Sequence, residues 1–177
     1  MRKIRINIEK QTLELLDDDC PLRSYSVSTA KNGAGEQSGS LRTPRGKHLI
    51  RAKIGAGQPV NTVFAGRRPT GEIFTAELGQ QFPERDWILS RILWLSGCEP
   101  GFNRLGESDS MRRYIYIHGT ADENAIGKPV SHGCVRMRNQ DIIELFDLIP
   151  AGTPVEIVAG DMGEAKEGGE PDPRHLQ

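Results

Sequence analysis

The chain has 177 residues, with 23 Lys and Arg against 24 Asp and Glu, a formal charge of −1. It carries no basic excess to neutralise phosphates, which argues against nucleic acid as a partner, and its length suits one domain that buries a core without disulfide or metal staples. With 20 glycines, 11 prolines and few aromatic residues, the composition favours strands and turns over a helix bundle.

In chain order, the alternation of Ile4, Ile6 and Ile8 predicts a half-buried strand starting almost at residue 1. The same alternation breaks up any secretory core, which needs roughly 7–15 consecutive apolar residues, and no run of about 18 marks a membrane helix. The expectation is a cytoplasmic protein with no membrane partner and with reduced thiols. Leu13–Leu16 reads as the partner strand, Asp17-Asp18-Asp19 as a turn, and Tyr25–Thr29 as a third strand. Thr43-Pro44-Arg45-Gly46 reads as a turn leading into a strand through Ile50, with glycine where the backbone bends or is closely approached.

Residues 58–109 are the least legible. Phe82–Asp86 reads as a helix entry, and Trp87–Leu95 carries apolar residues at helical spacing, with Gly97 as a stop. Tyr114–Ile117 alternates again, with Tyr114, Tyr116 and His118 on one face, so a strand delivers His118 at its end. Asn139–Ile149 predicts a helix with Asn139 as N-cap and Ile142, Leu145, Phe146 and Ile149 as its apolar stripe. Val155–Val158 reads as a last strand. Residues 159–177, rich in Gly, Glu and Pro, predict a disordered tail.

Of three cysteines, Cys20 reads as a surface-turn residue and Cys98 as a partly buried filler. Cys134 differs. It closes Ser131-His132-Gly133-Cys134, with His118-Gly119-Thr120 upstream, the composition of a thiol nucleophile and its base. A neighbouring imidazole can take the thiol proton, and both His132, two residues away, and His118, across a sheet, qualify. The backbone N–H groups of His132, Gly133 and Cys134 are candidate oxyanion donors. Gly119 or Thr120 can orient His118 through a carbonyl or hydroxyl, the third member of triad logic.

His118-Gly119-Thr120 with Ser131-His132-Gly133-Cys134-Val135-Arg136-Met137 resembles the signature of the L,D-transpeptidase catalytic domain, the YkuD-like family. Thr43-Pro44-Arg45-Gly46 and Gly152-Thr153-Pro154-Val155 resemble two further segments of it. The resemblance spans residues 1–158, with 58–109 as an insertion or lid, and implies a mainly β fold: two mixed sheets packed as a sandwich with a few helices. It also implies Cys134 as nucleophile, His118 as proton acceptor and donor, and a pocket shaped by Ser131, His132, Gly133 and Arg136. The implied partners are peptidoglycan stem peptides or soluble muropeptides, cleaved between the L-centre of the third residue and D-alanine through a thioester, with no cofactor.

Three alternatives stand beside this. Water as acceptor makes an L,D-carboxypeptidase of cell-wall recycling, the reading favoured by the expected cytoplasmic location, whereas an amine acceptor makes a cross-linking transpeptidase. A zinc set of His118, His132 and Cys134 is disfavoured by the spacing of the last two. A non-catalytic binder of wall fragments has no need of an activated thiol.

Overall fold

The computed structural model describes residues 1–160. Ten strands and two α-helices follow in order: β1 (Arg2–Asn7), β2 (Thr12–Asp17), β3 (Cys20–Ser28), β4 (Gly46–Ile54), β5 (Thr62–Ala65), β6 (Arg68–Ile73), α1 (Ala76–Gln81), β7 (Ile88–Gly97), β8 (Tyr116–Gly119), β9 (Val135–Met137), α2 (Asn139–Leu148) and β10 (Pro154–Val158). The fold is mainly β with few helices, as expected. Its pairing runs unbroken in the order β4-β10-β1-β2-β3-β9-β8-β7, and β4 also pairs with β7, which closes these eight strands into a ring. The β5–β6 hairpin hangs from β7. The sheet is mixed: β1/β10 and β8/β9 run parallel and the remaining pairs antiparallel.

Alternation sets what faces inward. Ile4 pairs with Leu15 and Ile6 with Leu13, and all four are fully buried. Val27, Ile50, Leu93, Leu95, Ile117, Val135, Met137, Val155 and Ile157 join them. The helix α2 packs on β7 and β8 and adds Ile142, Leu145 and Phe146, followed by Ile149. Each such side chain contributes about 1.5–3 kcal/mol by leaving water.

The expected helix over Trp87–Leu95 is instead the strand β7. Leu89, Ile92, Leu93 and Leu95 are all fully buried, because one face joins the core and the other a second cluster around Phe64, Ile92 and Tyr116. A strand covered on both faces reads as a continuous apolar run, which periodicity cannot separate from a buried helix. Ser90, at φ 71°, lies within a register shift against β8 between Leu89 and Ile92 that further spoils the alternation. Phe82 likewise ends a helix rather than preceding one: α1 is capped by Thr75, whose hydroxyl accepts from the Leu78 N–H. Asn139 is the first residue of α2 and not its cap, since its side chain turns inward to the site. Cys98 is exposed, contrary to expectation. The expected disordered tail lies outside the described residues apart from Ala159 and Gly160, of which Ala159 accepts a hydrogen bond from the Glu9 N–H.

Candidate active site

The two parallel strands β8 and β9 set Ile117 opposite Val135 and His118 opposite Arg136. With a period of two, Ile117, Val135 and Met137 anchor the strands in the core. Tyr116, His118, Cys134 and Arg136 fall on the other face, where they line a cavity of about 510 Å³. The hydrophobic packing behind the strands thus fixes where the polar side chains in front of them stand.

The turn carrying Cys134 is held from three sides. Gly133 has φ 131°, a conformation that disfavours any side chain. Ser131, almost fully buried, donates its hydroxyl to the Cys134 carbonyl at 2.6 Å and accepts the Gly133 N–H at 3.2 Å. Thr43, from the Thr-Pro-Arg-Gly turn, donates to the Gly133 carbonyl at 2.9 Å and accepts the Ala30 N–H at 3.0 Å. The sulfur itself receives the Tyr116 N–H at 3.4 Å, and its own S–H donates to the Tyr114 carbonyl at 3.3 Å.

His118 is buried, with Nδ1 2.6 Å from the Gly119 carbonyl. A carbonyl only accepts, so Nδ1 carries the proton and Nε2 presents a lone pair. Gly119 has no room for a side chain: a Cβ there would stand 2.3 Å from Asn139 Oδ1 and 2.6 Å from the Leu89 carbonyl oxygen. Asn139 locks this corner. Its Nδ2 donates to the Thr120 carbonyl and to Glu123 Oε1, each at 2.8 Å, and its Oδ1 accepts the Ser90 hydroxyl at 2.6 Å.

Burial shifts both members of the pair toward their neutral forms. Burial pushes the Cys134 thiol up to about 11, opposed by the Tyr116 N–H and by the charges of Arg136 and Arg113. Burial also pushes His118 below the usual histidine value, against the pull of the Gly119 carbonyl. Both directions follow from lost hydration, which one amide hydrogen bond does not replace.

Of the eight residues singled out from sequence, Cys134, His118, His132, Ser131 and Arg136 line the cavity together. Gly133, Gly119 and Thr120 do not. They shape it from behind, and the Gly133 N–H, expected to face an oxyanion, is engaged by Ser131. Arg136 lies 3.6 Å from Asp86. Sequence reasoning did not single out Arg67, Asp86 or Arg113, which line the cavity, and it read Asn139 only as a helix cap. Only Tyr114 and Tyr116 gave a signal, by sharing the alternating face with His118. Among the described residues, no three His, Cys, Asp or Glu side chains are grouped as metal ligands.

Comparison with known proteins places the chain in a family. The family model described as the L,D-transpeptidase catalytic domain matches residues 1–157. A protein named putative L,D-transpeptidase YkuD from Bacillus licheniformis is 48% identical over 46 residues, 26% of this chain and 28% of that one. A probable L,D-transpeptidase ErfK/SrfK from Escherichia coli is 46% identical over 66 residues, 33% of this chain and 21% of its own length. Among solved structures, an L,D-transpeptidase from Mycobacterium smegmatis superposes with a TM-score of 0.53 at 19% identity, covering 89% of this chain and 58% of that one. L,D-transpeptidase 3 from Mycobacterium tuberculosis, in complex with a faropenem-derived adduct, gives 0.54 at 14%, covering 88% and 59%. The structural matches speak for the fold, and the aligned part is less than two thirds of each of these relatives. Fold, site motif and family model converge: the chain belongs to the L,D-transpeptidase catalytic domain family.

Proposed function

We propose that this chain cleaves the bond between the L-centre of the third stem-peptide residue, diaminopimelate, and D-alanine, with Cys134 as nucleophile. The observation that carries the reading is the placement of the His118 imidazole on β8 and of the Cys134 thiol in the turn just before β9, the strand parallel to it, both lining one cavity. On substrate binding the S–H turns from the Tyr114 carbonyl to His118 Nε2. The sulfur attacks the scissile carbonyl as the proton passes to the imidazole. His118 then returns that proton to the departing amine, which leaves D-alanine and a thioester on Cys134. The Gly119 carbonyl, bound to Nδ1–H, supports the transient imidazolium.

In this proposal the acyl group passes to water, giving an L,D-carboxypeptidase. A cavity of about 510 Å³ suits one short peptide, and a water fits within about 30 Å³. The proposal extends to a cytoplasmic enzyme acting on soluble muropeptides. In support, Cys20 and Cys98 are exposed and unpaired, as in reducing compartments. Fractionation of the natural protein tests that part, and recovery from the envelope would move its substrate to the wall.

The reaction is tested with a diaminopimelate tetrapeptide, with and without a second stem as acceptor. Tripeptide and free D-alanine in both reactions fit hydrolysis, and a dimer in the second gives the cross-linking reaction instead. A protein that binds the peptide but releases nothing would be a binder of wall fragments.

A further inference from the structure

We propose that Arg67 recognises a free carboxylate of the substrate and so makes the enzyme prefer acidic over amidated stem peptides. The inference rests on the acyl-transfer reading above and assigns that site a specificity residue.

Arg67 sits at the tip of the β5–β6 hairpin. The tip is a two-residue turn in which Gly66 has φ 54° and Arg67 has φ 64°. Such turns favour Gly, Asn or Asp, and a long side chain in the left-handed region is uncommon. The sequence therefore places an arginine where local structure alone would choose otherwise, and the hairpin brings it to the cavity that holds Cys134.

Its guanidinium is oriented. It lies 4.8 Å from the Trp94 ring centroid and 5.0 Å from that of Tyr114, and Nη1 donates to the Tyr116 hydroxyl at 3.1 Å. Tyr116 is the residue whose N–H meets the Cys134 sulfur at 3.4 Å, so a single tyrosine links nucleophile and guanidinium.

The cavity lining carries three arginines and one aspartate. Arg113 is engaged with the carbonyls of Gly35, Glu36 and Arg42 and the hydroxyl of Ser40. Arg136 faces Asp86. Among the described residues no carboxylate comes within 4.0 Å of Arg67. Tyr116 takes one of the five N–H donors of a planar group suited to gripping a carboxylate with two parallel bonds. An aromatic stack that only fastened the hairpin to β7 would act equally on every substrate, whereas carboxylate recognition acts on one charge.

The two stem-peptide carboxylates nearest the scissile bond are the terminal group of the leaving D-alanine and the side-chain group of the third residue. The test uses full-length protein carrying Cys134→Ala, titrated calorimetrically with a diaminopimelate tetrapeptide in three forms: free acid, C-terminal amide and third-residue side-chain amide. Adding Arg67→Gln should weaken free-acid binding about 10- to 100-fold, and Arg67→Lys should lose less. One amide form should bind equally weakly with and without the Arg67→Gln substitution, which identifies the carboxylate. An equal loss on all three forms, no loss on any, or no binding of any form would overturn the inference. Release of D-alanine by the unsubstituted chain is assayed in parallel: release combined with an overturning result refutes the Arg67 assignment alone, while absent release refutes acyl transfer. Thermal unfolding confirms that each variant is folded.

Discussion

The hydroxyl of Thr43 donates to the carbonyl of Gly133 at 2.9 Å, across a sequence separation of 90 residues. Both partners are polar groups taken from water, and the Ala30 N–H completes the threonine's bonding. The turn that presents the thiol is thus held by a residue far from it in sequence. Thr43→Val, nearly isosteric, leaves that carbonyl and the Ala30 N–H without this partner. It should cost about 1–3 kcal/mol of stability and lower kcat more than KM, while Thr43→Ser restores most of both. Urea unfolding and steady-state kinetics check this, and an unchanged kcat in a folded Val variant would remove Thr43 from the positioning of Cys134.

Gly119→Ala forces a Cβ against Asn139 Oδ1 and the Leu89 backbone. The backbone on one side cannot yield as a flexible side chain does, so the variant should be destabilised by about 1–3 kcal/mol. His118 moves with it, so activity should fall further than stability at a temperature where the protein stays folded. Full activity in a folded Ala variant would mean that this corner does not set the imidazole.

His48 and His118 are buried, and burial lowers both below the ordinary histidine value. His48 is held by the Ser110 hydroxyl at 2.8 Å and the Gly46 carbonyl at 3.0 Å. Below the unfolded value near 6.5 the unfolded chain binds protons that the folded chain refuses, so stability falls as pH falls. The loss approaches about 1.4 kcal/mol per pH unit for each histidine until its folded value is reached. Thermal scans from pH 7.5 to 5.5 should show a falling Tm, and a flat profile would contradict neutral burial of the pair.

A thiol held up at about 11 should react slowly with a simple alkylating agent. At pH 7.5, iodoacetamide followed by peptide mapping should label the exposed Cys20 and Cys98 before Cys134. Faster labelling of Cys134 would mean that the resting enzyme already holds a thiolate.

Legibility followed locality. Ile4, Ile6 and Ile8 announced β1, and the stripe from Ile142 to Ile149 announced α2, because one face of each meets a polar surrounding. The family was legible because its motif sits in two short runs, His118–Thr120 and Ser131–Met137, that local sequence contains. The strand β7 was not, since both its faces are apolar and Ser90 lies at a shift in its register. Arg67, Asp86 and Arg113 belong to a hairpin and two loops that meet only in the folded chain. Asn139 was read for its place at a helix start, whereas its amide bonds to Thr120 and Glu123, a tertiary contact that local rules do not contain.

The most direct test of the central claim is intact-protein mass spectrometry after brief mixing with the diaminopimelate tetrapeptide and an acid quench. The account predicts a tripeptide acyl adduct that maps to Cys134, disappears as tripeptide accumulates, and never forms on Cys134→Ala. D-alanine release by Cys134→Ala, or turnover with the adduct on another residue, would contradict it.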